Sequence, residues 1–220
     1  MGLKVIYEND DVLVVNKPAG VVITDIHPNL SKVHRLDKDT SGVLLIAKNE
    51  KALIFLQKQF KQRSVEKKYI ALVVGNIKSN QGTIETLVGR APKDRKKQKV
   101  YLPLDPDAKG KRKAITKYKV IERFGSASGK INYTLAEVLP KTGRKHQIRC
   151  HFSYLGHPIA GDKMYGFKNQ SCPEELKRQF LHASYIKIKL PNGEIKEFKS
   201  TLSDDLKLCL QKLKLLPKPN

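Results

Sequence analysis

Short apolar runs, each closed by a polar break, divide the chain into candidate elements. At the amino end LKVIYENDDVLVVNKPAG predicts a strand, an acidic Asn-Asp turn, a second strand and a Lys-Pro-Ala-Gly breaker, because β-branched runs favour extended backbone while Pro and Gly end it. VLLIAKN at 43–49 predicts another strand. ALIFLQKQF at 52–60 has helical spacing, with Leu53, Leu56 and Phe60 on one face. KKYIALVVG (67–75), TIETLVG (83–89), AITKYKVIERF (114–124) and INYTLAEVLP (131–140) return to strand patterns. TGRKHQIRCHFSYLG (142–156) predicts a turn and a helix ended by glycine, whose apolar face is Ile148, Phe152 and Leu155, with Arg149 pointing elsewhere. LHASYIKIKLP and EIKEFKS predict a hairpin through Pro191-Asn192-Gly193, and SDDLKLCLQKLK an amphipathic helix capped by Ser203. Hairpins mixed with helices, without a βαβ rhythm, make the expected class α+β.

One stretch breaks this rhythm. KDRKKQKVYLPLDPDAKGKRK, 93–113, offers little to bury, and five of the seven residues from Lys93 to Lys99 are basic. It is expected as an exposed, mobile connection whose Lys93, Arg95, Lys96, Lys97, Lys99, Lys111, Arg112 and Lys113 contact a polyphosphate, positioning a backbone rather than reading bases. The whole chain agrees in sign: 43 Lys and Arg against 21 Asp and Glu give a formal charge of +22 over 220 residues. Such a field draws polyanions, whether RNA, DNA or an anionic membrane, and does not choose among them. Apolar runs fall well short of the roughly 18 residues that a spanning helix needs, and the amino end lacks a signal-peptide pattern. A cytoplasmic protein is the expectation. Cys150, Cys172 and Cys209 are too few and too scattered for a disulfide framework or a zinc site.

Candidate chemistry gathers in HRLDKDTSG, 34–42, set directly against the apolar run that follows. Asp37 and Asp39 would face one way on a regular strand and could then share Mg²⁺, which is the arrangement of a metallonuclease; no further acidic ligands stand out. Short side chains at Asp39, Thr40 and Ser41 also suit a loop bonded to its own backbone. Alternatively one carboxylate serves as nucleophile or general base, held ionised by a guanidinium, with Arg35 and Arg149 as candidates.

HRLDKDTSGVLLIAK resembles the catalytic motif of pseudouridine synthases of the RluA type. The likeness continues through DDVLVVNKPAG at 10–20, KKYIALVVG, KRKAITKYKV, TGRKHQIRCHFSYLGHPIAGDKMYG at 142–166 and LHA at 181–183. The resemblance implies one catalytic domain over 1–220, with a mixed, mainly antiparallel sheet, flanking helices and a central RNA-binding cleft. It implies isomerisation of a uridine within RNA: the base is detached at N1, turned and rejoined to the ribose through C5, after extrusion from its stack. By the same resemblance Asp37 acts at the sugar, either on C1′ or on the C2′ proton. Tyr69 packs on the uracil and assists at C5, Arg149 pairs with the aspartate, and Arg35 fills the place of the departed base. Lys17 lies in the first family motif and is a candidate RNA contact. His34, His146, His151 and His182 are expected in packing, hydrogen bonds or RNA backbone contact, not at zinc, and Asp162 in local bonding. No metal or organic cofactor is called for.

Two departures from the family pattern shape expectations about the substrate. The first motif is reached by Lys17, so the S4 domain that many family members carry is not expected, and recognition is expected to rest on the catalytic domain and its basic loops, 93–113 above all, or on a partner. VVITDIHPNLSKV, between Gly20 and His34, is shorter than in many relatives. Ribosomal or transfer RNA is the expected partner, bound by a monomer away from any membrane.

Overall fold

A computed structural model describes residues 3–22, 31–125, 132–170 and 172–215. In chain order the elements are β1 (Lys4–Glu8), β2 (Val12–Lys17), β3 (Ser31–Lys32), β4 (Ser41–Ala47), α1 (Glu50–Gln62), β5 (Glu66–Val74), β6 (Gln81–Arg90), β7 (Gln98–Tyr101), β8 (Arg112–Gly125), β9 (Asn132–Pro140), α2 (Gln147–Tyr154), β10 (Leu181–Lys189), β11 (Ile195–Lys199), α3 (Asp204–Gln211) and β12 (Lys214–Leu215). The expected α+β class holds. The chain, expected as one domain, divides into two compact units: residues 1–69 with 182–203, and 70–181 with 204–220. Most of the short 20–34 segment, residues 23–30, lies outside the described residues. Among the described residues no helix is long and apolar enough to cross a membrane.

The first unit is built on a mixed sheet. β2 runs antiparallel to β1 and, along its whole length, to β4, from Val12 opposite Ala47 to Lys17 opposite Gly42. β4 meets β10 in parallel, Ser41 opposite His182 and Gly42 opposite Ala183, and β10 turns into β11 as an antiparallel hairpin. The uninterrupted runs VLVV and VLLIA follow from burial on both sides. Val12, Val14, Val43 and Leu45 pack with Leu56 of α1 and with Ile186, Ile188 and Phe198, while Leu13, Val15, Leu44 and Ile46 form a second cluster on the opposite face. Helix α1 extends beyond the 52–60 of its apolar pattern because its ends are capped. Asn49 accepts a hydrogen bond from the Ala52 N–H, and Arg63, in the left-handed region at φ 61°, returns its N–H to the carbonyls of Gln59 and Phe60.

The second unit is antiparallel, its fourteen-residue β8 paired with β6 on one side and β9 on the other, with β7 beyond β6 and β12 at the far end of β8. The stretch expected as a mobile connection is ordered. Its Gln98–Tyr101 pairs with β6 and buries Val100 and Tyr101, and the tip beyond is closed by Asp105, whose carboxylate accepts from the Leu102 N–H and whose carbonyl accepts from the Ala108 N–H. The charge run masked a two-residue apolar anchor. Helix α2 also departs from expectation: Gln147, Ile148, Arg149, Cys150, His151 and Phe152 are all buried, whereas Leu155 is exposed. A helix covered nearly all round does not need a one-sided apolar stripe, provided that its polar groups find partners.

Candidate active site

The HRLDKDTSG motif is a loop entering β4, with several of its polar groups bonded within the first unit. Asp37–Thr40 is a turn closed by the Thr40 N–H donating to the Asp37 carbonyl at 3.0 Å, so Asp37 and Asp39 do not share a strand face and the geometry offered for Mg²⁺ is not formed. Among the described residues no group of three or more His, Cys, Asp and Glu side chains is placed to hold a metal. The next carbonyl, Lys38, is gripped from the KPAG breaker: it accepts from the Gly20 N–H at 3.0 Å and from the Lys17 ammonium at 2.8 Å. Lys17 donates also to the carbonyls of Pro18 at 2.7 Å and Val21 at 3.0 Å, and is only 2% exposed. This lysine, expected at RNA, is thus enclosed by the scaffold of the Asp37 loop.

His34 stacks on Phe60, ring centroids 5.0 Å apart, and its Nε2 accepts from the Leu45 N–H. Burial first, and the Lys67 charge second, lower its pKa to about 3, so the ring is neutral with Nδ1 carrying the proton. At the other end of the motif His182 donates from Nε2 to the Ser200 carbonyl and accepts the Ser41 hydroxyl at Nδ1. Gly42, at φ 115°, lies so close to the Ala183 backbone that an added Cβ would collide with the Ala183 carbonyl. Ser41 and Gly42 therefore secure the parallel β4–β10 contact, and Asp37 is held from both sides of its loop. Arg35 is exposed and Asp37 half-buried.

Tyr69, on β5, is half-buried and electrostatically coupled to Asp37. Burial first, and the Asp37 carboxylate second, raise its phenol well above the ordinary tyrosine range. It is therefore a phenol throughout the neutral range, a hydrogen-bond donor and an apolar ring rather than a phenolate. The neighbouring Lys68 carbonyl accepts the Ser184 hydroxyl at 3.2 Å, fixing this part of β5 to β10.

Arg149 belongs to the second unit, whereas the Asp37 expected as its partner belongs to the first. Within its own unit the guanidinium is forked onto Asp162, Nε to Oδ2 at 2.6 Å and Nη2 to Oδ1 at 2.8 Å, with side-chain exposures of 8% and 0%. Asp162 also takes the N–H groups of Met164 and Tyr165, so the local bonding expected of it extends to a buried ion pair. The guanidinium lies 5.0 Å from the Tyr165 ring centre, and the Tyr165 hydroxyl accepts from the Gln98 N–H and shares a hydrogen bond with His146. Beneath α2, His151 bridges Thr86 and Thr116. Gln147 bonds Thr116 and accepts the Thr142 hydroxyl. Sequence reasoning missed this scaffold; the one visible signal was Asp162 followed two and three residues later by backbone it could capture. All four motif histidines are hydrogen-bonded inside the protein, as expected.

The basic candidates fall into two sets. Lys93, Arg95 and Lys96 are exposed around the β6–β7 turn, where Asp94 accepts from the Lys96 and Lys97 N–H groups. Lys99 and Lys111 place their ammonium groups 5.1 and 4.9 Å from the centre of the Tyr101 ring, Arg112 is exposed, and Lys113 pairs with Glu85.

The structure superposes on human RNA pseudouridylate synthase domain containing 1 with a TM-score of 0.81 and 29% identity, covering 100% of this chain and 91% of the human one. Human RNA pseudouridylate synthase domain containing 4 gives 0.77 and 25%, covering 99% and 95%. The family model described as RNA pseudouridylate synthase matches residues 11–154, and the chain belongs to that family. It is 36% identical to an uncharacterized RNA pseudouridine synthase of Bacillus subtilis (97% of this chain, 74% of the relative), and 34% identical to ribosomal large subunit pseudouridine synthase D of Nitrosomonas europaea (98% and 66%). To an uncharacterized RNA pseudouridine synthase of Aquifex aeolicus it is 40% identical, over 79% of this chain and 59% of the relative. The chain thus spans 59–74% of the length of these relatives.

Proposed function

We propose that this chain converts a uridine in structured RNA, ribosomal or transfer, to pseudouridine, with Asp37 as the group that acts at the ribose. The observation that carries the reading is the coupling of Asp37 to Tyr69 across a loop locked by Lys17, Gly20 and His34. The carboxylate either attacks C1′ as the N1–C1′ bond breaks, giving an ester that C5 of the turned base then displaces to free Asp37, or removes the C2′ proton as that bond breaks and returns it to C2′ as C5 joins C1′; on either route the C5 proton then leaves and N1 gains one. A phenol at Tyr69 packs against the turning uracil and donates a hydrogen bond to it. Arg149, oriented by Asp162, is the third residue carried over from the family pattern, and exposed Arg35 takes the gap in the stack. Three relatives named for the large ribosomal subunit, from Nitrosomonas europaea, Borreliella burgdorferi and Vibrio vulnificus, favour ribosomal RNA as the first substrate to test. A cytoplasmic monomer completes the proposal.

The test is tritium release from RNA labelled at uridine C5, with products mapped by chemical derivatisation in ribosomal and transfer RNA from cells with and without the protein. Asp37→Asn keeps shape and removes the reacting charge, and should lower the rate at least ~10³-fold, within the range for loss of a positioned base. Wild-type turnover in that variant rejects the assignment. Full RNA affinity without any turnover in the wild-type protein would instead define a binding protein.

A further inference from the structure

In the second unit the sheet has two unlike faces. One, carrying Val88, Ala114, Thr116 and Tyr118, is covered by α2 through Cys150, His151 and Phe152. The other face follows from the strand register: Lys99 stands opposite Gly89, Lys113 opposite Leu87, Lys117 opposite Thr83 and Lys119 opposite Gln81. Lys111 joins them, its stem lying over Gly89 so closely that a Cβ there would strike its Cδ. Five lysines share this face with two carboxylates, Glu85 and Glu137, and Glu85 is bonded to Lys113.

Lys99 and Lys111 bring two like charges onto one tyrosine ring, no more than roughly 10 Å apart, with the Asp105 and Asp107 carboxylates close enough to act on the same ring, and the lysines farther along the face extend the positive field beyond them. Along β8 the alternate positions, two residues or about 6.7 Å apart, are Lys113, Ile115, Lys117 and Lys119, so Lys117 and Lys119 are adjacent in the row and Lys113 stands beyond Ile115. Among its described residues the face lacks what single strands require: Tyr101 is 1% exposed beneath the lysines, its hydroxyl donating to the Arg90 carbonyl, and Tyr133, on the same face of β9 as Glu137, is 2% exposed. Bases without an exposed ring to stack on are not captured. Phosphates presented on the outside of a helix are.

We propose that this Lys99–Lys119 face binds the sugar–phosphate backbone of an RNA duplex, which rests on the assignment of RNA as substrate and adds the stem to it. Being opposite the face that carries α2 and Arg149, it contributes affinity and register and not chemistry.

Fluorescence anisotropy with a labelled 16-base-pair RNA duplex and a 16-nucleotide uridine strand, from 50 to 300 mM KCl, tests it. Lys117→Gln/Lys119→Gln changes exposed side chains only, and its fold is checked by circular dichroism. Loss of two phosphate contacts should lower the duplex salt slope by about 1.8 and the affinity at 0.1 M salt roughly 50-fold, with a distinctly smaller change for the single strand. An unchanged duplex slope overturns the surface. Equal losses on both probes overturn the choice of duplex. Asp37→Asn should bind the duplex with the wild-type slope whatever its turnover, so failure of this surface is separable from failure of the catalytic assignment.

Discussion

Replacing Lys17 by Met tests whether the catalytic loop is held from within. The side chain keeps its length and loses three donated hydrogen bonds, of 2.7, 3.0 and 2.8 Å, to Pro18, Val21 and Lys38. Charge-assisted bonds contribute about 1.5–3 kcal/mol each, but removing the ammonium also cancels a desolvation cost of several kcal/mol, and Lys38 retains its bond from Gly20. Two carbonyls left short of a donor, at about 1–3 kcal/mol each, set the expected loss at about 2–4 kcal/mol, read as the shift of the urea midpoint at pH 7 with the slope unchanged. Asp37 immediately precedes Lys38, so slack there displaces the reacting carboxylate; a shift on the order of 1 Å lowers kcat by about 10²-fold, with little change in RNA affinity. A stability change below about 0.5 kcal/mol together with wild-type kcat would refute the argument. Loss of RNA affinity alone would return Lys17 to the surface role that its sequence context suggested.

Two further expectations follow from buried groups. Asp162→Asn removes the carboxylate that forks onto the Arg149 guanidinium, in a pair whose side chains are 0% and 8% exposed, which should cost up to about 3–5 kcal/mol; combining it with Arg149→Met should recover a measurable part in a double-mutant cycle on thermal unfolding, and strict additivity would contradict the pairing. Burial lowers the pKa of His151 to about 4, and His34 stands lower still, so each stabilises the fold fully above the unfolded value near 6.5 and progressively less as pH falls, by about 1.4 kcal/mol per unit. Imidazole resonances followed by NMR should show neither ring protonating above pH 5, and a His151 midpoint near 6.5 would be decisive against it.

What could be read in advance was local. Strands β2 and β4 announced themselves as apolar runs, and α1 through the spacing of Leu53, Leu56 and Phe60. The Asp37 loop showed in its short polar side chains, but what holds it did not, because its supports come from elsewhere: the Lys38 carbonyl is held by residues 17 and 20, and His34 by Leu45. Helix α2 defeated its own periodicity. Gln147 and His151 are buried polar residues whose partners, Thr86, Thr116 and Thr142, sit on other elements, and a window of one helix cannot register them. At 93–113 the charge run outweighed Val100 and Tyr101 in the pattern, although those two residues anchor a strand.

The Ser41–His182 bond joins positions separated by 141 residues, and Gly42 admits the returning strand at the tightest point of that junction. While the chain is still being made, β4 must wait for β10, an interval of roughly 7–28 s at ordinary elongation rates. During that time an edge rich in Val, Leu and Ile stands open, and nascent chains stalled before residue 181 should be the ones that chaperones hold.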